Sequence, residues 1–309
     1  MNDSSSGEQV PLQTNNKFNL AHVFILAILV AVGVVASYSL GIKPADRGVK
    51  AFVEETQDTS TGKLGDGKVL RVGMEAAYAP YNWQTTTPSQ YTIPIANLPG
   101  TYADGYDVQI AKKIAKGLGM EPVAVKMSFS GLIDALNSGQ IDIICAGMSE
   151  SAQRAQSVDF SHSYFDGGFG LMVKRGSKYD NAHTLSEFNG ASVLGQKATL
   201  LDSVIDDIDG VIHLNPVESV PNQISHLLQG TCDAITYNVE NEDGLLSVDS
   251  RLVPISFNKG DGFTTKIPDN AAIKKGQKQS LDKINEIIDS IPQKERMDIW
   301  KACQMRQPV

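Results

Sequence analysis

Apolar positions from residue 69 onward alternate between strand-like runs and helix-like patterns. VLRVGM at 69–74 is a short apolar run typical of a buried strand. Residues 106–119 carry apolar side chains at helical spacing and end at Gly119, a common helix terminator. Three further elements are expected in the order strand, helix, strand, at 121–127, 131–138 and 141–148. This order predicts an α/β fold with a parallel sheet covered by helices.

The second half of the chain repeats this rhythm. Its strands and helices are expected alternately at 191–196, 200–208, 211–215, 220–229 and 233–238, and two more helices within 276–307. Segments 132–147 and 224–238 both contain an apolar helix ending in Gly, an Asp three residues later and a buried strand. Asp142 and Asp233 therefore correspond, which predicts two lobes of like construction with a cleft between them.

The N-terminal region has a different composition. Residues 1–17 are polar and are expected to form a disordered cytoplasmic tail. Residues 18–42 contain no acid, Lys or Arg and are long enough for one transmembrane helix that anchors the protein in the cell membrane. A signal peptide cut near Ala36 is the alternative, and it would leave a secreted or periplasmic protein. Residues 43–67 are expected to form a linker before a folded domain at 68–309.

Basic residues follow the apolar segment instead of preceding it: Lys43, Arg47 and Lys50 all lie on its C-terminal side. The positive-inside rule alone would place that side in the cytoplasm. Long domains translocate largely regardless of this bias, so we expect the folded domain to be extracytoplasmic.

Charge and cysteine content exclude several classes of function. The 309 residues carry a net charge of −8, which argues against a nucleic-acid surface. The cysteines, Cys145, Cys232 and Cys303, form no C-x-x-C pair, and free thiols are expected, although a Cys232–Cys303 bridge stays open. The five histidines show no metal-ligand spacing, so neither a metal site nor a cofactor is expected.

Several segments together resemble one protein family. They are VGMEAAYAPYNW (72–83), GYDVQIAKKIAKGLG (105–119), residues 129–149, residues 152–168 and the QKERMDIWKACQMRQP tail. In this order they are similar to the type II periplasmic binding proteins, specifically the polar amino acid family that feeds ABC importers. The resemblance spans about 68–309.

The resemblance implies a hinged, two-lobed fold that closes on a ligand. Lobe 1 would comprise about 68–163 and 262–309, and lobe 2 about 171–256, with crossover strands near 165–171 and 257–263. The ligand would be a polar amino acid, delivered to a permease and, through it, to an ATPase. No catalytic residue is implied.

The resemblance also implies which residues bind the ligand. Arg154 matches the arginine that holds the ligand carboxylate, since its planar fork suits a bidentate contact. Gly147 and Ser149 match positions that offer a hydroxyl, a backbone amide and a carbonyl at a strand end. Thr199 and Leu200 would present a helix start from lobe 2. The family often has Gly-Thr there and this chain has Ala198-Thr199, so only the backbone contact transfers.

The remaining matches concern the walls and the far end of the site. Tyr78 and Phe129 match aromatic residues that enclose the ligand side chain, with core packing as the alternative for each. Glu75 matches an acid that touches the distal end of the ligand, although capping a helix is an alternative role. Gln196 is expected to face the cleft.

One position departs from the family pattern. The acid that binds the ligand ammonium is replaced here by Asn238, a neutral amide that gives up the charge-assisted part of the contact. Glu240 would compensate if the chain shifted register after Tyr237. Without such a shift, the ligand could lack a free ammonium group and would be described only as a small carboxylate.

Two other functions remain open at this point. The first is an enzyme on the same fold, similar to a cyclohexadienyl dehydratase, in which Glu75 or Glu240 would act as general acid. The second is a membrane-tethered sensory domain that reports its ligand to a signalling partner.

Overall fold

The computed structural model describes residues 64–308. The expected tail at 1–17, the expected membrane span at 18–42 and most of the expected linker at 43–67 lie outside the described residues. Within the described part, packed structure begins a few residues before 68: Leu64 is buried, and Asp66 accepts hydrogen bonds from the backbone of Lys68 and Val69. Between residues 64 and 308, no helix is both long and apolar enough to span a bilayer.

Strands and helices alternate along most of the described chain. The strands are β1 Val69–Met74, β2 Ala77–Tyr78, β3 Asn82–Thr85, β4 Ile93–Pro94, β5 Tyr102–Asp104, β6 Glu121–Lys126, β7 Ile143–Ile144, β8 Val158–Lys174, β9 Ser192–Leu194, β10 Ile212–His213, β11 Ala234–Asn238, β12 Leu252–Pro254 and β13 Lys266–Lys274. The helices are α1 Tyr106–Leu118, α2 Leu132–Asn137, α3 Leu200–Ser203, α4 Val220–Gln229, α5 Glu242–Val248, α6 Lys278–Asp289 and α7 Gln293–Arg306. The expected mixed α/β fold is confirmed.

The main sheet has the strand order β10-β9-β11-β8-β13-β7-β1-β6, with β12 also paired to β8. Strand β1 is parallel to β6 and β7, and β9 is parallel to β10 and β11. We call β1, β6, β7 and β13 the first subsheet, and β9 to β12 the second subsheet. A small antiparallel sheet, β2-β3-β5-β4, carries Tyr78.

The long strand β8 belongs to both subsheets. Its residues from Val158 to Gly168 pair with β13, and those from Phe169 onward pair with β11 and β12. The crossing near 165–171 is therefore observed where it was expected. The return crossing is not: residues 257–263 form no strand, and β13 begins only at Lys266. The glycine-containing turn at 258–262, closed by a hydrogen bond from Asp261 to Asn258, interrupts the apolar run.

Several predicted elements are shorter in the structure. The strand expected at 141–148 is reduced to β7, because Gly147 adopts a left-handed conformation (φ +58°) and turns the chain out of the sheet. The helix expected at 200–208 stops after α3 and continues as a 3₁₀ segment, Val204–Asp207. Aspartates at 206 and 207 explain the early end, since Asp is a weak helix former.

Helix α1 is fixed at both ends by glycine. Gly119 ends it in the left-handed conformation, and Gly105 precedes it at φ +132°. A side chain at Gly105 would place its Cβ 2.2 Å from the Tyr81 carbonyl oxygen. The close approach ties α1 to the loop that carries Tyr81.

All three cysteines, Cys145, Cys232 and Cys303, are buried free thiols. The Cys232–Cys303 bridge left open by the sequence is therefore not formed in this structure.

Candidate ligand-binding site

A cavity of about 30 Å³ lies beside strands β8, β11 and β13. Most of the predicted site residues line it, namely Tyr78, Phe129, Gly147, Ser149, Arg154, Gln196, Thr199, Leu200 and Asn238. This volume is far below the range for small-molecule pockets, so a ligand would have to separate the residues that enclose it. The structure therefore brings together residues that are more than 150 positions apart in the sequence, such as Tyr78 and Asn238.

Arg154 supplies the positive charge of this cavity. It opens a 3₁₀ segment, Arg154–Gln156, and its guanidinium donates to the carbonyl oxygen of Ser149 and, at 2.6 Å, to that of Ala198. Burial lowers the pKa of Arg154 to about 10. Within residues 64–308 no carboxylate forms an ion pair with it. The site thus holds a partly desolvated cation without a counter-charge, which favours binding of an anion.

Gly147 and Ser149 lie at the end of the chain segment that follows β7. The Gly147 amide donates to the Asp107 carboxylate at 3.2 Å, so this amide is engaged inside the protein. The Ser149 carbonyl accepts from Arg154. Of the expected contact groups, the Gly147 amide and the Ser149 carbonyl are therefore both engaged within the protein.

Thr199 and Leu200 approach the cavity from the second subsheet. Thr199 precedes α3 in extended conformation and donates its hydroxyl to the Gln196 carbonyl at 2.7 Å. Helix α3 is only 4 residues long, so this helix start is a single turn. Ala198 adopts a left-handed conformation (φ +61°), which explains why glycine suits this position.

Glu75 lies behind Gln196 and does not line the cavity. Gln196 donates its side-chain amide to the Glu75 carboxylate at 2.8 Å and to the Glu218 carbonyl at 3.1 Å. Glu75 is buried, and this burial raises its pKa to about 7, although the Gln196 hydrogen bond opposes the shift. The acid therefore holds Gln196, which in turn faces the cavity.

Two aromatic side chains form walls of the cavity. Tyr78 stacks on Tyr81 with ring centroids 4.7 Å apart, and Phe129 lies 5.5 Å from the Arg154 guanidinium carbon. Both Tyr78 and Phe129 are buried. Tyr78 and Phe129 thus pack in the core and also line the cavity.

Asn238 forms hydrogen bonds with two tyrosines. Its side-chain oxygen accepts from the Tyr78 hydroxyl at 2.6 Å, and its amide donates to the Tyr81 hydroxyl at 3.2 Å. Strand β11 runs without a shift through Asn238, which lies opposite Phe169. The side chain that was expected to contact a ligand ammonium thus links β11 to the segment that carries Tyr78 and Tyr81.

Glu240 does not compensate for Asn238 at the cavity. It follows β11 in a 3₁₀ turn, and its carboxylate accepts from the Gly168 amide at 3.1 Å. It is absent from the residues that line the cavity. The compensation by Glu240 considered from the sequence required a register shift after Tyr237, and the structure has none.

Three apolar residues of the cavity were missed by the sequence reasoning: Phe169, Leu201 and Ile267. They pack together in one buried cluster. Phe169 and Ile267 lie on the crossing strands β8 and β13, where the sequence shows apolar runs but not which face turns inward. Only Leu201 had a local signal, since it follows the predicted contact residue Leu200.

A metal centre finds no support in the described residues. Between positions 64 and 308, no group of three or more His, Cys, Asp or Glu side chains is arranged to hold an ion.

Comparison with known proteins identifies the family. Residues 70–302 match the bacterial extracellular solute-binding proteins, family 3. The chain belongs to this family. An L-arginine-binding protein of Pseudomonas aeruginosa is 26% identical over 72% of this chain and 83% of its own length. The ABC transporter glutamine-binding protein GlnH of Bacillus subtilis is 30% identical over 67% of this chain and 74% of its own length.

A solved structure of the family agrees with the fold. The substrate-binding protein of an amino acid ABC transporter superposes with a TM-score of 0.65 at 26% identity, covering 77% of this chain and all of its own. The family assignment made from the sequence is thereby confirmed, as is the type II binding-protein fold for the described residues.

Proposed function

We propose that this protein is the extracytoplasmic substrate-binding component of an ABC importer for an amino-acid-type ligand. The observation that carries the proposal is Arg154, a partly buried cation at the cavity with no paired carboxylate among the described residues. A ligand carboxylate would supply the missing charge through a bidentate contact. The family membership and the relatives named for arginine and glutamine binding support this choice of ligand class.

Closure around the ligand is part of the proposal. We assign lobe 1 to about 68–163 and 262–309, and lobe 2 to about 171–256. The hydrogen bonds from Arg154 to Ala198 and from Tyr78 to Asn238 join the two sides. A ligand that touches both sides shifts the equilibrium toward the closed state in proportion to its preference for that state.

Calorimetry on the full-length protein tests the role of Arg154. Arg154→Gln keeps a planar amide but removes the charge, and we expect it to weaken ligand binding by about 100-fold. Arg175→Gln is the matched control, since Arg175 is exposed and far from the cavity lining. Equal affinity in the Arg154 variant and the wild type would refute the site.

The closed, ligand-bound form would dock onto a permease and stimulate its ATPase. Reconstitution of the permease and ATPase in proteoliposomes, with the binding protein added, tests this step. Ligand-dependent ATP hydrolysis supports an import role. A signalling response without ATP hydrolysis would support the sensory alternative.

We also propose that residues 18–42 anchor the protein in the membrane. Alkaline washing of membranes followed by N-terminal sequencing separates the two fates of this segment. An intact N-terminus in the washed membrane supports the anchor. A new N-terminus near residue 37 in the soluble fraction would support a cleaved signal peptide and a secreted or periplasmic protein.

The proposed role is binding without catalysis. Incubation of the protein with prephenate or arogenate should yield no product, and turnover would support the dehydratase alternative, with Glu75 or Glu240 as general acid.

A further inference from the structure

The cavity carries one cation and no anion. Arg154 is the only charged residue among the described residues that line it, and the other lining side chains are neutral polar or apolar. A zwitterionic ligand would bring a carboxylate that Arg154 can pair with. It would also bring an ammonium group that meets no carboxylate on the cavity wall.

Acidic side chains lie near the cavity, but none of them is among the residues that line it. Glu75 bonds Gln196, Glu240 bonds the Gly168 amide, and Asp107 accepts from Tyr164, Asn82 and the Gly147 amide. Asp269 is buried, and its carboxyl oxygens have no hydrogen-bond partner in the described structure. Burial raises the pKa of all four carboxyl groups, Glu75, Asp107, Glu240 and Asp269, which disfavours their charged forms.

The surroundings of Asn238 are also unsuited to an ammonium group. Its oxygen accepts from Tyr78 and its amide donates to Tyr81, so the second lone pair of the oxygen is the one neutral acceptor that it leaves open. Phe169 lies directly opposite Asn238 on β8, and Leu201 and Ile267 complete an apolar wall. A cation placed there would lose its hydration without gaining a charged partner, which is strongly unfavourable.

We propose that the ligand is a carboxylate whose α-substituent is uncharged, as in an N-acyl amino acid or a 2-oxo acid. The proposal rests on the proposed function, since it assumes that Arg154 holds the carboxylate. The apolar wall formed by Phe169, Leu201 and Ile267 would receive the acyl group or the neutral α-carbon. Selection then arises because Arg154 attracts the anion and the neutral wall rejects an ammonium group.

Matched ligands test the selection directly. Glutamine, N-acetylglutamine and the 2-oxo acid of glutamine are titrated into the full-length protein by calorimetry, and the same series is made for arginine and histidine. We expect the acetylated or 2-oxo form to bind at least about tenfold more tightly than the free amino acid of its series. A free amino acid that binds more tightly than its N-acetyl and 2-oxo counterparts overturns the inference. The N-acetyl and 2-oxo forms also show which neutral α-substituent fits.

One substitution should reverse the preference. Asn238→Asp places a carboxylate where the wall is now neutral, and the Tyr78 hydroxyl can still donate to it. We expect this variant to improve the affinity for the free amino acid, relative to the acetylated form, by about tenfold or more. Asn258→Asp adds the same charge at an exposed position and should leave the ratio unchanged. An unchanged ratio in a folded Asn238→Asp protein contradicts the inference.

Failure of the inference and failure of the proposed function give different results. If free amino acids bind best and Arg154→Gln abolishes that binding, the proposed function holds and the inference falls. If no free, acetylated or 2-oxo form binds, both fall. The ligand comparison uses wild-type protein, so it decides the question even when Asn238→Asp does not fold.

Discussion

Asp142 and Asp233 make the same contacts at equivalent places in the two subsheets. The Asp142 carboxylate accepts a hydrogen bond from the Arg71 backbone amide, and the Asp142 backbone amide donates one to the Arg71 carbonyl, both at 2.8 Å. Asp233 does the same with Ser192, again at 2.8 Å for both bonds. Each aspartate thus joins its strand to the parallel neighbour at the point where the pair begins. The correspondence predicted from the sequence is confirmed.

Removal of either carboxylate should destabilise the protein, but by different amounts. Asp142 also forms an ion pair with the Arg71 guanidinium, whereas Asp233 accepts only from the amide and hydroxyl of Ser192. We expect Asp142→Ala to lower the free energy of unfolding by about 2–3 kcal/mol and Asp233→Ala by about 1–2 kcal/mol. Urea unfolding measures both.

The exposed Asp207 provides the control for this pair, and Asp207→Ala should cost less than about 0.5 kcal/mol. Equal losses for Asp142→Ala and Asp207→Ala would contradict the structural role assigned to Asp142.

The sequence predicted features that depend on local pattern and missed those that depend on distant partners. Helix α4 was predicted with its bounds, and Gly230 marks its end within the sequence itself. The engagement of Asn238 by Tyr78 could not be predicted, since it joins residues 160 positions apart. The inward face of Phe169 depends on the pairing of β8 with β11, which no local pattern specifies.

Gly105 should tolerate no side chain. At φ +132°, alanine is strained, and its Cβ would lie 2.2 Å from the backbone oxygen of Tyr81. Because backbone atoms cannot move aside cheaply, we expect Gly105→Ala to lower the free energy of unfolding by about 3 kcal/mol or more. Thermal unfolding or urea titration measures the change.

Gly100 is the matched control for Gly105. It also has a positive φ, +79°, but apart from its chain neighbours no atom of the described residues lies within 4 Å of the place that an alanine Cβ would take. Gly100→Ala should therefore cost only the conformational strain, about 1 kcal/mol. Similar losses for Gly100→Ala and Gly105→Ala would show that the contact with Tyr81 adds no destabilisation beyond the backbone strain.

The three thiols should be unreactive until the protein unfolds. Burial raises the pKa of Cys232 and of Cys303 to about 12, and that of Cys145 well above its usual value. Because the thiolate is the reactive form, iodoacetamide at pH 8 should label the native protein slowly at each site. When the protein is unfolded without reductant, iodoacetamide should alkylate all three cysteines, Cys145, Cys232 and Cys303. Mass spectrometry detects the alkylation. Labelling of Cys145 alone would demonstrate a Cys232–Cys303 bridge.

The ionisation of Glu75 should make the protein less stable as the pH rises. Burial raises the pKa of Glu75 from 4.5 to about 7, so between these values the folded state binds more protons than the unfolded state. Since stability falls with pH wherever the folded state holds the extra proton, the loss begins near pH 4.5 and is complete above about pH 7. Glu75→Gln removes the penalty and should stabilise the protein at pH 8 by about 1–3 kcal/mol.

The same substitution should have no such effect at pH 4, where Glu75 is protonated in both states. Urea unfolding of the wild type and of Glu75→Gln at pH 4, 6 and 8 therefore measures a difference that grows with pH. Glu218→Gln is the control, because hydrogen bonds from Lys197 and Ser130 lower the pKa of Glu218, and its loss should bring no gain at pH 8. The free energies of unfolding of Glu75→Gln and the wild type could instead differ by a constant amount from pH 4 to 8. That result would mean that Glu75 does not titrate in this range, and it would contradict the pKa raised by burial.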